Sequence, residues 1–187
     1  MVNTNNTTKV ITGKVRLSYV HLLEAYAQEG QGEPKYSTTI IIPKDDTKTM
    51  DKINNAIKAA FDSGKSDKLK GMKLERVSTT LHDGDEDADL ERNPELKDSY
   101  YMAVSSKQKP GIIDKFKEEV TSEDDVYSGV YARVSLNFYA YNSHGNKGIS
   151  AGLNNVQIIA KGDYLGGRSS ADADFEEWDE DDDDLLD

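Results

Sequence analysis

The chain reads as a mainly β protein: a small, partly closed antiparallel barrel of five or six short strands, with one or two helices and a disordered acidic C-terminal tail. Three observations predict it. Several short runs alternate apolar and polar residues or are dense in β-branched residues, and turn residues separate them. Only one segment shows a clear helical period. The last 17 residues, Ala171 to Asp187, hold 11 of the 35 acids and no Lys or Arg.

From Lys9 to Val20 the apolar Ile11, Val15, Leu17 and Tyr19 fall on odd positions and Thr12, Lys14, Arg16 and Ser18 on even ones, which predicts one half-buried strand. After Gly30 and Gly32, the run Lys35 to Ile42, stopped by Pro43, predicts a second. Met50, Ile53, Ile57, Ala60 and Phe61 then recur at three- and four-residue spacing behind Asp45 and Asp46, with Gly64 as the expected helix stop. Leu74 to Leu81 is a further candidate strand, and Asp83 to Asp98 an acidic loop. Ser99 to Ser105 alternates, with Tyr100, Met102 and Val104 inward and Tyr101, Ala103 and Ser105 outward. Ile112, Ile113, Phe116 and Val120 form a short strand or helix that the pattern leaves open. Val130 to Tyr141 carries the clearest alternation, Asn142 to Gly145 is a turn, and Leu153 to Ala160 is the closing strand. The expected organisation is a flexible lead-in over 1–8, one barrel domain over 9–168 and the tail over 169–187.

The formal net charge of -12 conceals a different body. Without the tail it is -1, and without Asp83 to Asp98 as well, 21 basic residues face 16 acidic ones, or +5. Charge at a site is local, because screening acts beyond about 8–10 Å. There is no cysteine, so neither disulfide nor thiolate chemistry contributes. No apolar run approaches a membrane span and the N-terminus lacks a signal peptide's regions, so the expectation is a soluble cytoplasmic protein.

The polar face of Val130 to Tyr141 presents Tyr131, Arg133, Tyr139 and Tyr141 at alternate positions. Aromatic rings interleaved with cations suit unpaired nucleobases, since stacking tolerates any base and the cations meet phosphates. Lys14, Arg16, Lys35, Tyr101, Lys107 and Lys109 occupy outward positions elsewhere and could extend that surface. The bland alternative is cross-strand tyrosine pairing. In the tail, Phe175, Trp178, Leu185 and Leu186 are apolar anchors among acids such as Asp181, Asp182, Asp183 and Asp184, a composition suited to docking on other proteins or on the chain's own basic groove. Catalytic patterns are weak. Gly64-Lys65-Ser66 lacks the first glycine of a phosphate loop, Ala88 and Pro94 break the calcium-loop pattern begun by Asp83, Asp85 and Asp87, and His21, His82 and His144 stand at no metal spacing.

Three long runs, Ser105 to Asp114, Val126 to Asn142 and Lys147 to Gln157, with Gly84-Asp85, Leu165-Gly166-Gly167 and Asp172 to Phe175, resemble a family of bacteriophage and prophage single-stranded DNA-binding proteins long catalogued as a domain of unknown function. The resemblance implies an OB-fold, a five-stranded barrel that binds single-stranded DNA without strong sequence preference in replication, recombination or repair. It also implies an acidic tail that recruits replication or recombination proteins, with no catalytic residue and no cofactor; that the tail competes with DNA is expected from its own acids and apolar anchors. Within the matching runs, Lys107, Lys109, Tyr127, Tyr131, Arg133, Tyr139 and Tyr141 have the chemistry for DNA contact. A homo-oligomer is compatible with this reading. The alternatives are an acidic interaction protein or DNA mimic that binds a DNA-processing enzyme, and a metal-dependent nuclease using carboxylates of Asp83 to Glu95.

Overall fold

The computed structural model describes residues 7–30, 32–165 and 175. Its strands are β1 (Lys9–Ile11), β2 (Val15–Tyr26), β3 (Lys35–Pro43), β4 (Ser78–Thr79), β5 (Leu81–Asp83), β6 (Ser99–Ser106), β7 (Gly111–Ile113), β8 (Tyr131–Ser143) and β9 (Asn146–Ala160). Two helices, α1 (Thr47–Gly64) and the one-turn α2 (Gly84–Asp87), complete the regular structure beside short 3-10 turns. Five strands close a ring in the order β2-β3-β6-β9-β8 and back to β2. The β6–β9 seam is parallel and rests on one register pair, Ser105 with Gly152, so the barrel is only partly closed there. This ring, with its single parallel seam, is the OB-fold.

The expected first strand is two strands. Thr12, Gly13 and Lys14 form a bend between β1, which pairs with β8, and β2, which pairs with β3 and β8. The bend resets the phase, so Val10 is buried and Ile11, expected inward, points out. A second phase change follows within β2. The register passes from Ser18 opposite Thr39 to His21 opposite Ser37, a bulge at Tyr19 and Val20, and Tyr19 adopts φ 48°. Tyr19, also expected inward, is therefore thrown outward, and Leu22 instead of an odd residue continues the core.

Asp46 caps α1, its carboxylate accepting from Thr49 N at 3.2 Å and from Thr49 Oγ1 at 2.7 Å. The apolar stripe of the helix, including Met50, Ile53, Ile57 and Phe61, is buried against the barrel. Gly64 does end the helix, yet not by a left-handed turn, because Lys65 keeps helical dihedrals. Its role is close approach: a Cβ there would run into the Cβ of Ala140 on β8. The expected strand over Leu74–Leu81 is a 3-10 turn at Leu74–Arg76 followed by the short β4 and β5. The last hairpin is longer than its pattern suggested. It turns at His144 and Gly145, both with positive φ, and β9 starts at Asn146 instead of Leu153. Gly148 and Gly152 disguise that first half, which pairing with β8 imposes.

The inner face carries Val15, Leu17, Ile40, Met102, Val134, Leu136, Phe138 and Ile149, all essentially inaccessible. Burying a side chain of this size contributes about 1.5–3 kcal/mol. The ends of β8 and β9 are cinched by a glycine contact. Gly129, at φ 117°, lies where a Cβ would run into the carbonyl of Asp163. We expect Phe138→Ala to lose about 3–5 kcal/mol of stability and Gly129→Ala about 1–3 kcal/mol, both read from urea denaturation. An unchanged midpoint for Gly129→Ala would show that the contact is not tight.

Candidate nucleic-acid interface

On β8 the even residues Ala132 to Phe138 are buried and the odd ones face out, so Tyr131, Arg133, Tyr139 and Tyr141 share the outer surface. One register row continues across the barrel from Tyr131 on β8 to Arg16 on β2, Ile41 on β3, Tyr101 on β6 and His82 on β5. Register partners project to the same side.

At one end of this face the cations and a ring converge. Lys14, which lies in the bend and not in a strand, places Nζ 5.2 Å from the centroid of Tyr131, and Arg16 places Cζ 5.5 Å from it. Arg16 is half-buried and fixed, donating from Nε to Gly129 O at 3.1 Å and from Nη2 to Asp163 O at 2.8 Å. Arg133 is exposed and donates from Nε to Thr12 O at 3.1 Å. Each guanidinium is thus held by carbonyls, so neither charge is cancelled by a carboxylate in these contacts. Farther along β8, about 20 Å from Arg133 at strand rise, Tyr139 is 46% exposed and Tyr141 lies half-buried against Gly148.

The other expected residues lie apart. Lys35 is exposed at the start of β3 opposite Tyr26, whose ring stacks on His21 at 4.3 Å. Lys107 and Lys109 are exposed, past the end of β6 in the turn toward β7. Tyr127 is a structural lock: its hydroxyl donates to Gly162 O at 2.9 Å and accepts from Gly162 N at 3.1 Å. Tyr101 stands on the outer face but beside the acidic loop, stacked on His82 at 5.3 Å. Burial, and secondarily Asp87, pushes its phenol pKa up. Trp178, Asp181, Asp182, Asp183, Asp184, Leu185 and Leu186 lie outside the described residues, and Phe175 is exposed.

The loop Asp83–Asp98 therefore borders the interface, over the outer side of β2, β3 and β6. Lys44, near the end of β3, bridges Asp83 Oδ1 and Asp85 Oδ2 at 2.8 Å each, and Asp85 Oδ1 accepts from Asp98 N at 3.0 Å. The carboxylates that resembled the start of a calcium loop thus hold a lysine and their own backbone. A cleft of about 400 Å³ between loop and sheet is lined by Tyr19, Thr39, His82, Asp87, Asn93 and Tyr101. A second, of about 480 Å³, adjoins it and includes Tyr19, His21, Arg92, Ser128 and Tyr164. Tyr19, His21, Tyr26 and Tyr164 were not expected at a site. Tyr19 was hidden by the bulge, and the others sit outside any alternating run.

An OB barrel whose outer face sets aromatic rings between cations defines the class of oligonucleotide-binding proteins. The chain belongs to the family described as Enterobacter phage Enc34, ssDNA-binding protein, whose model matches residues 8–186. It is similar to the single-stranded DNA-binding protein from bacteriophage Enc34 in complex with ssDNA, with a TM-score of 0.73 and 25% identity over 85% of this chain and 90% of that one. It shares the fold of gp2.5, a single-stranded DNA-binding protein encoded by bacteriophage T7, at a TM-score of 0.60 and 10% identity, covering 88% of this chain and 98% of that one. Protein p50 of Acyrthosiphon pisum secondary endosymbiont phage 1 is 28% identical over 176 residues, 90% of this chain and 93% of the relative. Among the described residues, no helix is long and apolar enough to cross a membrane.

The lysine-bridged carboxylates give a pH test. The hydrogen bond from Lys44 holds Asp83 and Asp85 below the usual carboxylate range, and the same bonds raise Lys44. Lowered carboxylates stabilise the fold above their unfolded pKa of about 3.9, and that stabilisation is lost as pH falls through their folded values. Raised Lys44 stabilises below its own unfolded pKa of about 10.4, so both contributions are present at pH 7. Lys44→Met should lower the thermal midpoint at pH 7 and lower it less at pH 3. Equal shifts at both pH values would mean that the bridge does not anchor the loop.

Proposed function

We propose that this chain is a phage single-stranded DNA-binding protein that coats unwound strands, without strong sequence preference, during replication, recombination or repair in the host cytoplasm. It is a binding protein and not an enzyme, as its family is. The observation that carries the reading is the convergence of Lys14, Arg16, Tyr131 and Arg133 on the outer face of an OB barrel, with Tyr139 and Tyr141 farther along the same strand.

The mechanism needs no covalent step. Lysines and arginines neutralise phosphates and release counterions, while tyrosines stack on bases. Arg16 and Arg133 are pre-positioned by carbonyls, so little side-chain freedom is lost on binding. Tyr139 is the most accessible platform on β8. Lys107 and Lys109, in the turn leading to Gly111 opposite Asn155 of β9, extend the basic surface on the β7 side, and Lys35 could serve strand entering over the β2–β3 loop. Tyr101 and Tyr127 serve the site by packing: one lies under the acidic loop, the other locks Gly162 near the Tyr131 ring.

The barrel domain, 9–168, would act with the tail, 169–187, as two parts. The tail competes for the basic surface and, when DNA displaces it, offers Phe175, Trp178, Leu185, Leu186 and the acids Asp181, Asp182, Asp183 and Asp184 to replication or recombination proteins. A homo-oligomer is compatible with this mechanism.

Polythymidine should quench intrinsic fluorescence at low salt, with affinity falling by a log–log slope of about 0.7 per phosphate contacted. Tyr139→Ala should weaken binding by about 1–3 kcal/mol, roughly 5- to 150-fold, with little change in salt slope. Arg133→Ala should reduce that slope by about 0.7. Removing residues 171–187 should leave DNA affinity equal or higher. A chain that binds no single strand at low salt, with or without its tail, would instead be an acidic partner of a DNA-processing enzyme.

A further inference from the structure

The sequence pattern leaves Ile112, Ile113, Phe116 and Val120 open between a short strand and a helix, and Phe116 belongs to neither. The structure places it at the tip of a tight hairpin, 74% exposed, between Lys115 and Lys117. The tip is rigidly built. Asp114 Oδ1 accepts from Phe116 N at 2.8 Å and from Glu118 N at 3.0 Å, Lys117 N donates to Asp114 O at 3.1 Å, and Asp114 N donates to Glu118 O at 2.9 Å. Val120 N donates to Ile112 O at 2.9 Å below it. Lys117 sits at φ 66°, a left-handed conformation that is uncommon for a residue with a side chain. A large apolar ring is thus held in water by a hydrogen-bonded turn with one left-handed residue, and the core of the protein gains nothing from it.

The base of this hairpin adjoins the outer face already described. Arg133 on β8, Gln157 on β9 and Ile113 on β7 are successive register partners, which puts Ile113 about 10 Å from Arg133 at ordinary strand spacing. Gln157, projecting to the same side as Arg133, donates from Nε2 to Asp114 O at 3.3 Å. Lys107 and Lys109 lie in the segment leading into β7. The base of the hairpin is consequently continuous with the cationic surface, and Phe116 lies beyond it at the exposed tip.

We propose that the Lys115-Phe116-Lys117 hairpin tip is a second stacking site, which takes one unpaired nucleobase of a strand already held along β8. The inference rests on the single-stranded DNA reading. Lys115 Nζ lies 5.3 Å from the ring centroid, so the ammonium occupies one face and the base stacks on the opposite one. Asp114, Glu118 and Glu119 flank the two lysines, so residues 114–119 carry a formal charge of -1 and the ring, not net charge, supplies the attraction. An acidic or apolar protein partner would use the same residues differently, and the test separates the cases.

Trp178 is the one tryptophan of the sequence. Full-length protein carrying Trp178→Phe and Phe116→Trp therefore has a single indole at the fingertip. Saturating oligothymidine should quench and shift its emission, and Phe116→Ala should weaken DNA binding about 5-fold or more with an unchanged salt slope, while Phe116→Tyr restores most of the affinity. If the unsubstituted chain binds DNA but the fingertip indole does not respond and Phe116→Ala binds equally well, the fingertip proposal is wrong and the β8 interface stands. If the unsubstituted chain does not bind DNA, both fall.

Discussion

Thr12 is the residue on which the closure of the barrel and the geometry of its outer face both depend. It is fully buried, and its polar groups are satisfied in four directions. Its N–H donates to Val134 O and its hydroxyl accepts from Val134 N, both at 3.0 Å, while the hydroxyl donates to Gly13 O at 2.8 Å. Its carbonyl accepts from Arg133. The next residue, Gly13, donates to Thr49 Oγ1 at 2.9 Å, on the capping turn of α1. One buried node therefore joins the bend before β2, strand β8, the start of the helix and a guanidinium of the interface. Leaving any of these groups unpaired in the interior would cost more than the bond itself contributes.

The placement of charge follows from a second constraint, which is that the acids of the central loop are held away from the cationic face on β8. Lys44 does this for the central loop by pinning Asp83 and Asp85 at the rim of β3, while Asp98 returns to the same point through Lys44 N and Asp85. The loop becomes a wall above Tyr101 and Tyr19 instead of a cover over Tyr131 and Arg133. Its position gives the barrel two contrasting outer regions: a cationic one on β8, and aromatic clefts edged by carboxylates over β2 and β6.

Most of the fold was legible because its signals are local. The alternation of Ala132 to Phe138, the β-branched run Thr38 to Ile42, the 3.6-residue stripe of α1 and the turn before Asn146 each express a period that backbone geometry enforces within a few residues. Where reading failed, the cause was non-local. The bend at Thr12 and the bulge at Tyr19 answer to partners on β8 and β3, and a bulge inverts the facing of every later residue. The first half of β9 contains glycines that weaken the pattern and is held in strand form by β8.

The candidate site divides the same way. Sequence by itself determined that Tyr131, Arg133, Tyr139 and Tyr141 share one face, because a strand's side-chain period is two and β8 runs through them without a bulge of its own. It also determined that the body is basic once the acidic segments are set apart. Only the tertiary structure decided that Lys14 and Arg16 flank Tyr131, that Tyr101 lies under the acidic loop, that Tyr127 is spent on Gly162, and that Phe116 is held out in water. Those are relations between segments far apart in the chain, fixed by strand register and by hydrogen bonds to particular carbonyls, and no local pattern encodes them.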